Sequence, residues 1–304
     1  MKYVAPSGPL TVGGVLDNWL RLFRASIGTC WALALVAAVA GALVEFTITP
    51  TLPPPPGTPA LQSYLHYWSQ IAGPTTFLAD IVLWFVSLVV YGAVLTQQTE
   101  IVRGGEGLSF GNALSKGLSR VPQMLLGGVL LVLIITAVII PFGIVAAVMV
   151  PLLRHSPSAM LAAAPVVVVM FIVLIYVTVR LQLWMAVLFS ENIGGASSLG
   201  RSWDLVKGQW WRVTAVGFVS GIVIWILSFA VGAIGGFAIG LASIHGATPE
   251  ALLRRAQLVG AAAQVARLLT MPLLTAVWLA IYQDVKLRRE GGDLAARAEA
   301  LSGG

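Results

Sequence analysis

Six runs of mostly apolar residues, at about 27–48, 75–96, 124–150, 164–188, 213–243 and 258–282, leave this chain few ways to fold. Each holds ~20 or more residues, the length a helix needs to cross roughly 30 Å of hydrocarbon. Lipid offers no partner to a backbone N–H or C=O, so such runs read as helices that satisfy themselves. The stretches between them are short. Charged residues are only 10% of the 304 and apolar ones 58%, where a soluble domain carries about 25% charge. The reading is a single polytopic membrane domain, 1–304, with no soluble catalytic module. Runs three and five are over-long, which implies tilt or breaks, and Pro141 and Pro272 are candidate kink sites. The Gly217/Gly221 and Gly236/Gly240 spacings either let helices pack closely or mark an unwound segment that lines a pathway.

The runs come in pairs, and the pairs repeat. Each pair follows a short basic, amphipathic stretch with the openings Thr11-Val12-Gly13, Ser109-Phe110-Gly111 and Ser198-Leu199-Gly200. Between the two runs stands a hydroxyl-proline dipeptide, Thr58-Pro59, Ser156-Pro157 or Thr248-Pro249, 47, 47 and 50 residues after the opening. These dipeptides suit helix starts, with the hydroxyl as cap and proline in the first turn. Two spans per copy make every copy enter from the same side, and parallel repeats are related by an axis along the membrane normal. The expected fold is all-α integral membrane: six transmembrane helices as three parallel hairpin repeats (about 9–98, 107–190 and 196–284) around a pseudo-threefold axis. Each hairpin is preceded by an interfacial amphipathic helix, and 285–304 forms a cytoplasmic charged tail.

Orientation follows from Lys and Arg. The segments before span one, between spans two and three, between four and five, and after six hold 13 of them, and the opposite loops hold only Arg154, Arg254 and Arg255. The positive-inside rule then puts both termini in the cytoplasm, in a bacterial inner membrane. The first run is too long for a signal h-region and is read as a retained anchor. The net charge of +6 follows this topology and does not indicate nucleic acid. In the first outer loop, Pro53 to Pro56 form a polyproline II spacer, followed by Tyr64, Tyr67 and Trp68 at headgroup level.

The inner stretches interleave aromatics with bases: Leu10 to Arg24 contains Trp19, Arg21, Phe23 and Arg24, and Ser198 to Arg212 contains Arg201, Trp203, Lys207, Trp210 and Trp211. That pattern suits a helix lying in the interface with its cations at phosphates. Arg21, Arg24, Lys116, Arg120, Lys207 and Arg212 are the candidate headgroup contacts. They serve either plain anchoring or capture of an anionic lipid. These two stretches, with Ile281 to Leu294 (Ile-Tyr-Gln-Asp-Val-Lys-Leu-Arg-Arg-Glu-Gly-Gly-Asp-Leu), resemble the membrane domain attached to some bacterial glycerophosphodiester phosphodiesterases. That family also occurs as stand-alone multi-span proteins. Gly14 stands where the family carries an acidic residue, and Lys286 where it carries Arg. The resemblance implies a polytopic bacterial membrane protein tied to lipids, without phosphodiesterase activity, because the hydrolase barrel is absent.

Ionisable residues inside spans are costly and mark candidate sites. Four qualify as an intramembrane polar site: Glu45, Asp80, Arg180 and Arg267. Topology places Glu45, Asp80 and Arg267 toward the outer side, so Arg267 is expected to pair with Asp80, Glu45 or both, as a structural ion pair or as a polar gate. Arg180, toward the inner side, either snorkels to the interface or contacts a headgroup. His66, His155 and His245 fall one to each outer loop and read as solvated. Asp284, Glu290 and Asp293 alternate with Lys286, Arg288 and Arg289, the pattern of a solvated, salt-bridged helix extension. The single cysteine, Cys30, excludes a disulfide within the chain. No phosphate loop, nucleophile elbow or metal-ligand spacing is present, so neither a cofactor nor enzyme activity is expected. The functional expectation is lipid or small-solute handling or transport through a polar site within the bundle. The alternative is a membrane scaffold that recruits an envelope or lipid-metabolism enzyme through its cytoplasmic rim.

Overall fold

The structure, a computed structural model, describes residues 3–47, 62, 73–155, 157–241, 257–264 and 266–302. Side chains at 45–47, 75, 146, 148–155, 157–164, 234–241, 267 and 292–302 are not among those described. Every regular element among the described residues is helical: α1 (Val12–Thr47), α2 (Pro74–Val102), α3 (Phe110–His155), α4 (Pro157–Leu181), α5 (Trp184–Glu191), α6 (Gly195–Val206), α7 (Trp210–Leu241) and α8 (Arg267–Ser302). Residues 257–264 are helical too. Six segments are long and apolar enough to cross a membrane: Val12–Val44, Thr76–Val102, Phe110–Val145, Pro165–Glu191, Trp210–Ala233 and Gln257–Gly291. The described residues of the six expected runs are therefore helical, apart from a break in the fourth and a turn at Ala266 in the sixth, and the chain has the build of a multi-pass membrane protein. Their outward faces carry large apolar side chains such as Trp31, Phe77, Phe171, Phe218 and Trp225, all more than half exposed. In water such a surface would be a liability; in lipid it is the expected one.

The three hydroxyl-glycine openings do not fold alike. Thr11 and Ser109 stand just before α1 and α3, and their hydroxyls accept the N–H of Gly14 (3.0 Å) and Asn112 (3.4 Å). This is N-capping, worth about 1 kcal/mol each. Both basic stretches then continue without a break into the long helices. In the third copy the helix starts earlier, at Gly195, and Ser198 is buried inside it, donating to the carbonyl of Gly195 (2.7 Å). Here the basic stretch is a helix of its own, α6. It ends because the chain turns at Lys207 to Gln209, where Gly208 takes φ +82°. That is left-handed space, open to glycine at little cost. Pro141 and Pro272 remain within α3 and α8. Side chains meet the backbone at Pro272, whose carbonyl accepts Gln98 Nε2 (2.8 Å) and Thr275 Oγ1 (3.0 Å).

The chain divides into two compact units. The first comprises Met1–Ala5, Trp19–Ser119 and Val219–Ala276; the second comprises Pro6–Asn18, Arg120–Phe218 and Val277–Gly304. In the first unit, Cys30, Leu33 and Ala37 of α1 pack on Val90, Ala93 and Val94 of α2 and on Ala113 of α3. These positions recur at helical spacing, so one face of each helix meets the next. Small residues set the distance: a Cβ added to Gly117 would lie 2.7 Å from the backbone nitrogen of Ala93. Gln97 closes the α2–α3 turn, since its side-chain amide both donates to the Leu108 carbonyl (2.9 Å) and accepts the Leu108 N–H (2.8 Å). Gly104 and Gly107 supply the positive φ that turn needs.

In the second unit the fourth span is interrupted between Leu181 and Trp184, and one residue of α6 repairs the break. Ser202 Oγ donates to the carbonyl of Arg180 (2.9 Å) and accepts the N–H of Leu183 (3.2 Å). An interrupted helix inside a membrane protein must find partners for its freed backbone groups, and that requirement pins α6 against α4 and α5. At its other end α6 meets α3. Gln123 Oε1 accepts the Gly195 N–H (3.0 Å), and a Cβ on Gly195 would fall 2.1 Å from the Gln123 carbonyl oxygen. The six residues of α6 that are buried, Gly195, Ser198, Leu199, Ser202, Leu205 and Val206, lie three or four apart, with Arg201, Trp203 and Asp204 turned further outward.

Candidate functional site

Two features of the second unit carry its chemistry. One is a charged cluster around the middle of α8, where the run Tyr282 to Glu290 projects side chains in several directions. Asp284 is 2% exposed. Its carboxylate accepts the N–H of Leu10 (2.9 Å), Nε of Arg212 at the start of α7 (2.7 Å) and Nε of Arg288 one turn along α8 (3.3 Å). Arg212 and Arg288 each also donate to the Leu10 carbonyl. Both backbone groups of Leu10 are thus satisfied from helices some 200 and 275 residues away in the chain. Asn18 Nδ2 adds a bond to Gln283 Oε1 (3.2 Å). The sequence expectation is corrected here for Asp284 alone. The expected i, i+4 pairs do form, Asp284 with Arg288 and Lys286 with Glu290, but Asp284 is buried, because its remaining lone pairs are taken by distant partners.

A second carboxylate completes the cluster. Glu191, the last residue of α5, accepts from Arg201 Nε (3.2 Å), Tyr282 Oη (2.9 Å) and Lys286 Nζ (3.3 Å). Arg201 reaches on to Glu290, and Lys286 Nζ donates to Tyr282 Oη (3.1 Å). Burial by itself would loosen the proton of Arg201; hydrogen bonds and field from Glu191, then Glu290, outweigh it and raise the guanidinium above its ordinary pKa. Paired, charge-assisted bonds of this kind fix geometry. The cluster is a clasp that ties the N-terminal segment, α5, α6 and α7 to α8, and each of Arg201, Arg212, Lys286 and Arg288 in it faces a carboxylate.

The other feature surrounds Arg180, near the end of α4. Its side chain lies between aromatic rings: its guanidinium carbon is 5.1 Å from the Tyr176 ring centroid and 4.7 Å from that of Trp203. Tyr176 in turn stacks on Trp210 at 6.0 Å and 28°, and Trp210 meets Trp211 edge-on at 4.5 Å. Arg180 donates to Tyr176 Oη from Nε (3.2 Å) and Nη2 (2.6 Å), and to the Trp203 carbonyl from Nη1 (2.8 Å). It is 8% exposed. Arg180 therefore does not extend to the surface: it is held by rings and neutral oxygens, and no carboxylate among the described residues pairs with it.

Next to this nest runs an open apolar groove of about 340 Å³, lined by Leu130 and Ile134 of α3, Leu181 of α4, and Ala196, Leu199, Gly200 and Trp203 of α6. Trp203 belongs to both features: it stacks on Arg180 and lines the groove. Gly200 leaves room, since a Cβ built on it meets nothing within 4 Å.

Asp80 is exposed on α2, and the side chains of Glu45 and Arg267 lie outside the described ones, as do those of His66, His155 and His245. Of the six headgroup candidates, Arg21, Arg24 and Lys207 are exposed, and Arg120 is half-buried. Lys116 is 3.6 Å from Glu100. Arg212 is not turned toward lipid; it is committed to Asp284 and Leu10. Glu191, Arg201 and Tyr282 did not stand out in sequence, because each is bonded across ten or more residues. The one available signal was Glu191 itself, an acid closing an apolar run. Among the described residues, no group of His, Cys, Asp and Glu comes together to hold a metal ion.

Compared with known proteins, the chain matches no family model, no curated protein and no solved structure.

Proposed function

We propose that this chain is a non-enzymatic, multi-pass membrane protein that takes up the acyl chain of a lipid. The observation that carries the reading is the groove between α3, α4 and α6. Its volume of about 340 Å³ falls at the small end of ligand sites, roughly 300–1,000 Å³. All of its side chains are apolar, and Ile134 keeps 37% of its surface open. Two of its three walls, α3 and α4, come from segments long enough to cross the bilayer, so the medium it opens to is hydrocarbon. The resemblance to lipid-linked membrane domains agrees with this reading. The proposal includes three parallel hairpins about a pseudo-threefold axis, interfacial basic stretches and both termini in the cytoplasm of a bacterial inner membrane. Single cysteines at Arg120 and Lys207, in a Cys30→Ser background, should react with a membrane-impermeant maleimide only after the membrane is opened. Labelling of intact cells would overturn the orientation.

Gly200→Phe tests the groove itself. The new ring enters space that is empty, and leaving glycine favours a helix, so the fold is expected to hold. Native mass spectrometry after mild extraction should show retained lipid reduced about tenfold, the effect of losing contact with roughly two methylenes. Equal lipid retention in Gly200→Phe and the parent protein would sink the proposal.

A further inference from the structure

Arg180 and the groove together define a ligand more narrowly than the groove alone. A guanidinium carries five N–H donors, and three are used here, on Tyr176 Oη twice and on the Trp203 carbonyl. Two donors and the whole positive charge are left without an anionic partner among the described residues. This matters because the side chain is more than nine-tenths buried. A buried cation is costly unless a counter-charge or a metal-like ligand shell compensates it. Cation–π contacts with Tyr176 and Trp203 offset part of that cost, but rings and neutral oxygens cannot neutralise the charge. By contrast, Arg201, Arg212, Lys286 and Arg288 in the same unit each have a carboxylate within 3.3 Å. Arg180, more buried than any of these, has none among the described residues.

We infer that Arg180 holds the phosphate of a phospholipid whose acyl chain occupies the groove lined by Leu130, Ile134, Leu181, Leu199 and Trp203. The Trp203 indole joins the two halves of the site: one contact stacks on the guanidinium, and another lines the apolar wall. Guanidinium and phosphate match in charge and in donor geometry, and a fixed fork is pre-organised for two parallel bonds. Trp210 and Trp211 stand beside this end, Trp211 79% exposed. Tryptophan favours the headgroup level of a bilayer, which sets the depth at which a phosphate would be found. A free phosphate would meet the cation but would leave the groove empty; a neutral glyceride would fill the groove but would leave the cation bare. This assignment rests on the groove reading given above.

The test uses the full chain in mild detergent and native mass spectrometry with three probes: dioleoyl phosphatidylglycerol, dioleoylglycerol with the same acyl chains, and inorganic phosphate. The parent protein should prefer the phospholipid over dioleoylglycerol by about tenfold, the scale of one charge-assisted hydrogen bond. Arg180→Gln should abolish that preference, read as the ratio of the two lipids bound by the same variant. Arg180→Lys, which keeps the charge but loses the fork, should retain part of it. Gly200→Phe should weaken both lipids alike. Equal binding of the two lipids by the parent protein overturns the phosphate assignment, and it does so without reliance on any variant. If Gly200→Phe still lowers both, the acyl-chain reading stands; if it lowers neither, that reading falls as well. Full displacement of the phospholipid by millimolar inorganic phosphate would overturn the lipid as the source of the phosphate.

Discussion

Asp284→Ala is expected to destabilise the second unit by about 3 kcal/mol, the low end of what breaking a buried ion pair costs. The loss is not that of one contact. The substitution leaves Arg212 facing no carboxylate, its side chain only 18% exposed, and leaves the Leu10 N–H without its acceptor. Arg288 is 29% exposed and can turn to water, which is why the low end applies. Asp284→Asn should cost less, because its amide oxygen can still accept from Leu10. Arg212→Met together with Asp284→Leu should recover part of the loss, since neither change then leaves a buried charge alone. The readout is the thermal unfolding midpoint in mild detergent, followed by intrinsic tryptophan fluorescence. An unchanged midpoint in Asp284→Ala would mean that the clasp contributes no stability.

Gly195→Val should be at least as damaging. A Cβ at this position lies 2.1 Å from the carbonyl oxygen of Gln123 and 2.7 Å from the backbone nitrogen of Gly127. Both obstacles are backbone within a long helix, so no side chain can swing aside. α6 must shift away from α3, and the Gly195 N–H to Gln123 Oε1 bond is lost with it. Overpacking alone costs about 1–3 kcal/mol, and a lost buried bond adds roughly 1 kcal/mol or more. Because α6 supplies four lining residues of the groove and the Ser202 bridge across the α4–α5 break, lipid retention should fall with stability. Gly200→Ala, five residues along the same helix in open space, is the matched control and should be neutral or slightly stabilising. A Gly195→Val protein with parental stability would show that α6 does not approach α3 this closely.

The contrast between these two glycines shows what sequence could and could not say. Both sit in α6, and Gly200 belongs to the repeated opening while Gly195 does not. The repeat drew attention to Gly200, yet the crowded position is Gly195, and nothing local separates them. The difference comes from Gln123 and Gly127, some seventy residues earlier. Arg180 behaves likewise. Its burden as an in-span cation was legible from its position in an apolar run, but snorkelling was the reading a single helix suggests. Enclosure by Tyr176 and Trp203 required α6 to fold back onto α4, where Ser202 bridges the break at Leu181 to Trp184. In the tail, the i, i+4 pairs were legible because a helix places those residues together whatever surrounds it. Burial of Asp284 was not, because Leu10 and Arg212 reach it only through the tertiary fold.

Sequence by itself determined that this chain has six helices of membrane-crossing length, because hydrocarbon leaves a backbone no other way to satisfy its hydrogen bonds over twenty apolar residues. It also placed the paired charges of the last helix, which depend only on neighbours within a turn, while the hydroxyl caps it suggested at Thr58, Ser156 and Thr248 lie outside the described residues. The tertiary structure decided which cations meet a carboxylate, that the buried Arg180 meets none among the described residues, and where the packed helices leave a gap. Those properties are set by distances between residues far apart in the chain, and local spacing has no purchase on them.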